Sequence, residues 1–509
     1  MTLAHYTTDH ARRSLLHFLL GKGVSAAAGI TVLLVLIRIM TTADFGYYVA
    51  AIAFLEIFYL ASGFGLSTIA QRYVAEFRVK AGNSDFKHFV RAILARRTLY
   101  AVAASAVVAL AAGLWQMADF ALPLVAMQPA FYGILLFGSV TRYFDEIFPA
   151  LLLQGYSQSL VLLSHSIRLI GLFGCQLNGL VVGVNEILVI ELIAGMSCSI
   201  SAWVMLSRYL VNNASVAEPS EAHHNPLMKG VARRFYIVQL FGQVYGPNSG
   251  KLVVAEYLGL AATGAYGFIQ SLTDMLRHYL PAYLLANWAR PLMISRYLAR
   301  RELHEVNAMA SVMLKLSLLC IVPAGAFSLA GGDIFLSWIS GGKVTEGAVI
   351  LTAFCCLMAL QSLHVVIGMI TITVEQANAC VIATLAACVA LPTSIAGAWL
   401  FGSTGVVVGM CVGELIWIAA VLFLLERQKI FIRLEVRGML QIILLAVPTY
   451  AGIRLMALTL PDLSPPWFSL LGIGTAGMLT LCLSPFLKPF VAIERGFITK
   501  LLPARLFVW

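Results

Sequence analysis

Apolar residues run in stretches of about twenty or more, separated by short polar segments, from residue 14 to residue 487. An α-helix rising 1.5 Å per residue needs about 20 such residues to cross the ~30 Å hydrocarbon core of a bilayer. The pattern predicts spanning helices near 14–39, 45–67, 98–116, 130–153, 157–180, 186–210, 234–257, 262–288, 306–330, 346–373, 377–400, 404–426, 438–459 and 466–487. That is an all-α integral membrane protein of about fourteen transmembrane helices. The stretches 130–153 and 262–288 stand out because both carry several charges.

Composition agrees with the pattern. The 509 residues are 60% hydrophobic and 11% charged, against roughly 45–50% and 25% for soluble domains. This excludes a soluble domain carried on a single anchor. The formal charge of +10 invites a nucleic-acid reading, but the placement of the charges argues against one. Basic residues gather in alternate loops: 71–97 (Arg72, Arg78, Lys80, Lys87, Arg91, Arg96, Arg97), 208–234, 290–301, 427–437 and the tail from Lys488. The intervening loops contain a single basic residue, Lys343. The positive-inside rule then puts both termini in the cytoplasm. Arg12-Arg13 ahead of an apolar run has the look of a signal-peptide n-region, but the run continues to about residue 39 and contains Lys22. A retained first spanning helix is expected.

All nine cysteines lie in apolar segments without metal-ligand spacing and read as small buried hydrophobes. Neither a metal nor a cofactor is expected. No P-loop or nucleophile elbow occurs, so no catalytic residue is assigned.

The chain also repeats itself. A shift of 218 residues lays Met40–Tyr48 on Leu258–Tyr266, matching Ala43 to Ala261, Gly46 to Gly264 and Tyr48 to Tyr266. The same shift brings Glu56 to Asp274, Arg72 to Arg290 and Arg78 to Arg296. It covers an even number of spans, so both copies cross the membrane in the same sense. The expected organisation is two pseudo-symmetric six-helix lobes, 1–213 and 234–430, joined by a cytoplasmic linker at 214–233. Residues 431–509 add two C-terminal helices and a tail.

Arg38-Ile-Met-Thr-Thr-Ala-Asp-Phe-Gly46-Tyr-Tyr, Gly63-Phe-Gly-Leu-Ser and Gln71-Arg-Tyr-Val-Ala-Glu76 resemble the opening of Wzx-type polysaccharide flippases. These belong to the multidrug/oligosaccharidyl-lipid/polysaccharide (MOP) exporter superfamily. Leu258–Tyr266, Asp274-Met-Leu-Arg277 and Arg290-Pro291 to Ser295-Arg296 resemble the corresponding part of the second lobe. The resemblance implies a pair of six-helix bundles in the bacterial inner membrane. Its substrate would be an undecaprenyl-pyrophosphate-linked oligosaccharide, with membrane lipid, a polysaccharide polymerase and a chain-length regulator as partners and no nucleic acid.

Cations in the predicted spans are the candidate chemistry, because a charge at bilayer depth is costly unless it meets water, a partner or a ligand. Arg142 lies three and four residues before Asp145 and Glu146, and Arg277 three after Asp274, so each shares a helical face with a carboxylate. Arg38 and Arg454 sit near helix ends and can snorkel to the interface. Lys22, Arg168 and Lys315 have no acidic residue one turn away on their own helices, and Lys251 has only Glu256, five positions on. Lys22, Arg168, Lys251, Arg277 and Lys315 are therefore expected to form a cationic cavity for a phosphate-bearing lipid, Arg binding phosphate oxygens bidentately and Lys as a point charge. The opposing expectation is pairing with buried carboxylates, Glu191 and Glu414 among them. Arg38 corresponds to Glu256 in the repeat and makes with it a candidate outer gate. Gly405, Gly409 and Gly413 form small-xxx-small steps that read as helix packing. Two other classes compete with the flippase. A cation-coupled multidrug exporter would place carboxylates in its lumen. A membrane-embedded ligase or polymerase needs a sizeable charged outer loop, whereas 117–129 and 331–345 are short and nearly uncharged.

Overall fold

The computed structural model describes residues 8–80, 83–116, 129–151, 153–212, 227–300 and 303–501. Every regular element among them is helical. By contacts the chain forms two compact units, Met1–Leu240 and Phe241–Trp509. The first contains α1 (Thr8–Ile39), α2 (Thr42–Ala61), α3 (Leu66–Lys80), α4 (Asn83–Gln116), α5 (Pro129–Ala150), α6 (Gln154–Leu177) and α7 (Val184–Asn212). Helix α8 (Leu227–Val244) carries the division between the units. The second unit continues with α9 (Pro247–Leu258), α10 (Leu260–Arg277), α11 (Pro281–Leu284), α12 (Ala286–Arg300), α13 (His304–Ser340), α14 (Ala348–Thr373), α15 (Ala377–Ala387) and α16 (Ala390–Arg427). It closes with α17 (Val436–Leu444), α18 (Ala446–Thr459), α19 (Pro465–Leu487) and α20 (Ala492–Leu501). Ten helical runs among the described residues are long and apolar enough to cross a membrane. Most of the expected linker, 214–233, and the expected outer loop 117–129 lie outside the described residues.

The two units share a design. In the first, α5 packs on α2, α6 and α7, and α6 on α1 and α7. In the second, α14 packs on α10, α15 and α16, and α16 on α9 and α15. The 218-residue shift carries α2 onto α10, α5 onto α14 and α6 onto α15, so the sequence repeat is a repeat of packing. The appended helices α18, α19 and α20 rest on α13.

Several predicted helices differ in extent, each for a local reason. The stretch 45–67 stops at Ala61, where Phe64 and Gly65 take positive φ (44° and 78°), and α3 restarts at Leu66. The buried Arg97 side chain seals that break: Nη2 donates to Tyr59 O at 2.5 Å and Nε to Ser139 O at 3.3 Å. Gly63 has no side chain because Arg97 Nη1 occupies that space. The stretch 262–288 is broken after His278, because Pro281 has no N–H for a continuing helix and instead opens α11. Helix α4 starts at Asn83 rather than 98; its Lys- and Arg-rich first half is polar but made of good helix formers. Two thirds of the expected outer loop 331–345 is helix, since α13 runs to Ser340. There Gly331 lets Phe468 approach, Gly332 lies against Ala348, and Asp333 Oδ1 accepts the N–H groups of Gly347 (2.7 Å) and Ala348 (2.8 Å).

Between lipid-facing helices no hydrophobic effect favours association, so close van der Waals contact carries much of it. The glycine steps of α16 supply this contact. Gly402 (φ 59°, ψ −144°) interrupts the helix, and the two limbs come back to back. A Cβ on Gly405 would meet the backbone of Gly397, one on Gly409 that of Ser394, and one on Gly413 the Ala390 side chain. Gly409→Ala is therefore expected to lower the thermal unfolding temperature, at about 1–3 kcal/mol for an overpacked contact. Gly474→Ala, where a Cβ meets nothing within 4 Å, should leave it unchanged.

Candidate functional site

Helical periodicity turns one face of each of four helices toward a shared cavity of about 240 Å³ in the first unit. Glu56 comes from α2 and Thr141, Arg142 and Asp145 from α5. Helix α6 presents Val161, Ser164, His165 and Arg168, the last three positions lying three, four and seven residues after the first. From α7 come Glu191, Gly195 and Cys198 at steps of four and three. Polar groups thus occupy a stripe on helices whose other faces are largely apolar.

The charges in this cavity are matched across helices rather than along them. Arg168 pairs with Glu191: Nη2 donates to Oε2 at 2.8 Å, and Nε lies 2.8 Å from Oε1 without a hydrogen bond to it. The arginine side chain is 23% exposed and the glutamate 6%. Tyr48 adds a hydroxyl donor to Glu191 Oε1 at 2.8 Å. Arg168 Nη1 is 3.4 Å from His165 Nδ1, a contact in which the arginine is the donor. Arg142 pairs with Glu56 on α2, not with the same-face carboxylates that the spacing suggested. Asp145 lines the cavity beside it. Two guanidinium groups and three carboxylates line the space.

The second unit holds a related cluster. Arg277 Nη2 is 3.0 Å from Asp274 Oδ1 one turn earlier, and its Nη1 donates to Gln361 Oε1 on α14 at 2.9 Å. One turn further along α14, His364 Nδ1 meets Glu414 Oε2 at 2.7 Å. The His364 ring stacks on Trp417 at 3.5 Å between centroids, and Trp417 Nε1 donates to Thr384 Oγ1. The Glu56–Asp274 match of the repeat is therefore chemical. In each copy the acidic residue holds an arginine at the junction of the same two helices, α2 with α5 and α10 with α14.

Lys315 is placed differently from the cavity role expected of it. Its side chain is 0% exposed, and Nζ donates to Glu435 Oε2 (2.6 Å), Glu494 Oε2 (2.7 Å) and Pro489 O (2.7 Å). All three ammonium hydrogens are taken by α20 and by the segments just before α17 and α20. Spacing along α13 could not reveal partners 120 and 179 residues away in sequence. Burial works against a charged Glu435, but the Lys315 ammonium and the Gly438 N–H outweigh it and hold the carboxyl below the ordinary range. Lys22 and Lys251 are partly buried on α1 and α9. Next to Lys22, Gly21 and Ser25 contact Gln158 of α6. Arg38, Glu256 and Arg454 are exposed. Tyr48, Glu56, Ser164 and His165 were not assigned to a site by the sequence. Their association with Arg168 and Glu191 becomes visible only once four helices are packed together.

The sequence matches the family described as "Polysaccharide biosynthesis protein" over residues 11–289. No curated protein sequence matches the chain. Among solved structures, the fold is similar to a lipid II flippase MurJ in an inward closed conformation. The TM-score is 0.68 at 15% identity, covering 94% of this chain and 99% of that one. It is also similar to the MATE multidrug transporter DinF-BH, with TM-score 0.57, 13% identity and 84% and 97% coverage. A mutant of the Vibrio cholerae MATE transporter VcmN gives TM-score 0.51, 11% identity and 84% and 98% coverage. These likenesses establish the fold, and the family placement read from the hairpin motifs stands.

Glu494→Ala leaves a buried ammonium with one carboxylate fewer, and is expected to cost about 3–5 kcal/mol in thermal unfolding. Lys315→Met combined with Glu494→Leu and Glu435→Gln should return closer to parental stability than Glu494→Ala alone, because the ammonium and both of its carboxylates leave together. Glu435 contributes stability at neutral pH that disappears as pH falls through its lowered native pKa. Glu435→Gln should remove that part of the acid-induced loss.

Proposed function

The chain belongs to the polysaccharide biosynthesis protein family, and from that premise we propose that it flips a lipid-linked oligosaccharide across the bacterial inner membrane. The cargo is an undecaprenyl-pyrophosphate-linked glycan, carried from the cytoplasmic to the periplasmic leaflet for exopolysaccharide, capsule or lipopolysaccharide synthesis. Both termini lie in the cytoplasm, and a polymerase with its chain-length regulator takes the product. No covalent bond of the cargo is made or broken.

The observation that carries the reading is the charged cavity of the first unit, lined by Arg168 and Arg142. A pyrophosphate is a strong acceptor, and the planar guanidinium of Arg168, which here gives one hydrogen bond to a carboxylate, can offer a phosphate its two-donor fork. In this mechanism the pyrophosphate displaces Glu191 from Arg168. Tyr48 stays hydrogen-bonded to the freed carboxylate and limits the cost of separating the pair. Lys22, Lys251 and Arg277 add positive charge along the path, each in its own unit, while the sugar occupies water.

The second reading, a cation-coupled exporter, draws on the surplus of carboxylates (Glu56, Asp145, Glu191) over guanidinium groups in the same cavity. A gene disruption complemented with variants separates the two. Arg168→Gln is expected to reduce export of the lipid-linked oligosaccharide by about tenfold or more, the loss of one charge-assisted contact, with the glycan lipid accumulating in the cytoplasmic leaflet. Arg168→Glu that folds normally and exports normally would overturn the flippase mechanism. Loss of cationic-dye efflux with unchanged glycan export would favour the exporter.

A further inference from the structure

A second polar cavity, of about 470 Å³, lies where the start of α13 meets the segment before α17 and the start of α20. Its deep wall is rich in acceptors. Asn307 is 7% exposed, lines the cavity, and its Oδ1 makes no hydrogen bond. Buried carbonyl oxygens are nearly always satisfied, so this one calls for a donor. Glu435 and Glu494 line the same space. With Lys315 they form a cluster of two carboxylates and one ammonium, and that ammonium has no hydrogen left to give. A positively charged group with several N–H donors matches this wall.

The outer wall has the opposite sign. His304 and Arg433 line the cavity and are exposed, so an anion held beside them keeps part of its hydration. Leu303, Phe431, Leu434 and Val491 supply apolar surface. Arg433 belongs to a basic loop that the positive-inside rule assigns to the cytoplasmic side.

We propose that this cavity binds the headgroup of an amine-bearing phospholipid of the cytoplasmic leaflet, with its primary ammonium on Asn307 Oδ1 and the carboxylate wall and its phosphate on Arg433 and His304. The acyl chains leave along Phe431 and Val491. A choline headgroup offers no N–H to Asn307, and a glycerol headgroup offers no positive charge to the carboxylates. The site therefore discriminates among the common phospholipids by chemistry rather than by size, and it tethers α20 to the bilayer surface.

The test uses the purified full-length chain in detergent, titrated with phosphatidylethanolamine, phosphatidylcholine or phosphatidylglycerol. Retained lipid is counted by native mass spectrometry, and each variant's thermal unfolding is followed in parallel. Ethanolamine lipid is expected to bind about tenfold more tightly than choline lipid, the difference made by a donor to a buried acceptor. Asn307→Leu should erase that preference while the protein stays folded, and Arg433→Gln should weaken the ethanolamine and glycerol lipids together. Equal binding of ethanolamine and choline lipids would overturn the proposal, as would a preference that survives Asn307→Leu. Saturation of the site by soluble O-phosphoethanolamine as readily as by the lipid would overturn its assignment to the membrane.

Discussion

The buried charges of this protein answer to one constraint: a charge that leaves water must find an opposite charge or, like Arg97, backbone acceptors, and here it does so chiefly on another element. Arg168 on α6 meets Glu191 on α7 and Lys315 on α13 meets Glu435 and Glu494, while the half-exposed Arg142 on α5 meets Glu56 on α2 in the same cross-helix manner. These pairs fix how neighbouring helices are rotated about their axes, because a rotation of one residue moves a helical side chain by about 100°. Apolar packing alone tolerates many rotations, and desolvated ion pairs tolerate few. The cavity of the first unit follows from this. Its polar stripe points inward because the pairs hold it there, and the space remains because charged groups do not fill it.

Close approach is governed by a different set of residues. The glycines at 397, 405, 409 and 413 let the two limbs on either side of Gly402 touch at backbone distance. Gly63 makes room for Arg97, which satisfies the Tyr59 carbonyl at the end of α2 in place of a helical hydrogen bond lost at the turn and also bonds Ser139 O on α5. Broken helices in a membrane need such substitutes, since lipid supplies none. At the first interruption the buried Arg97 takes up exposed backbone, and at the second Ser394 Oγ donates to Val406 O and Thr393 Oγ1 to Gly409 O across the two limbs.

Hydropathy and the 218-residue repeat made the architecture legible from sequence. Span length is a one-dimensional property, and the repeat preserved Gly46 with Gly264 and Glu56 with Asp274. Helix breaks were less legible. Pro281 was plain to read, but its effect was masked by the apolar residues around it, and Asp333 reads as a loop residue until its cap on α14 is seen. The site was the least legible part. Helical spacing finds partners on the same helix, such as Asp274 and Arg277, but carries no information about which helices are neighbours. It therefore offered Asp145 and Glu146 to Arg142, and could not find Glu56 or the partners of Lys315.

The Lys315 network has a consequence for how the protein is made. Its carboxylates lie 120 and 179 residues further along the chain, so the ribosome delivers the lysine well before anything can neutralise it. During that interval α13 holds an uncompensated charge at a position that is fully buried in the finished protein. The full set of Lys315 partners is therefore complete only once α20 has been synthesised, which ties neutralisation of this charge to the order of synthesis.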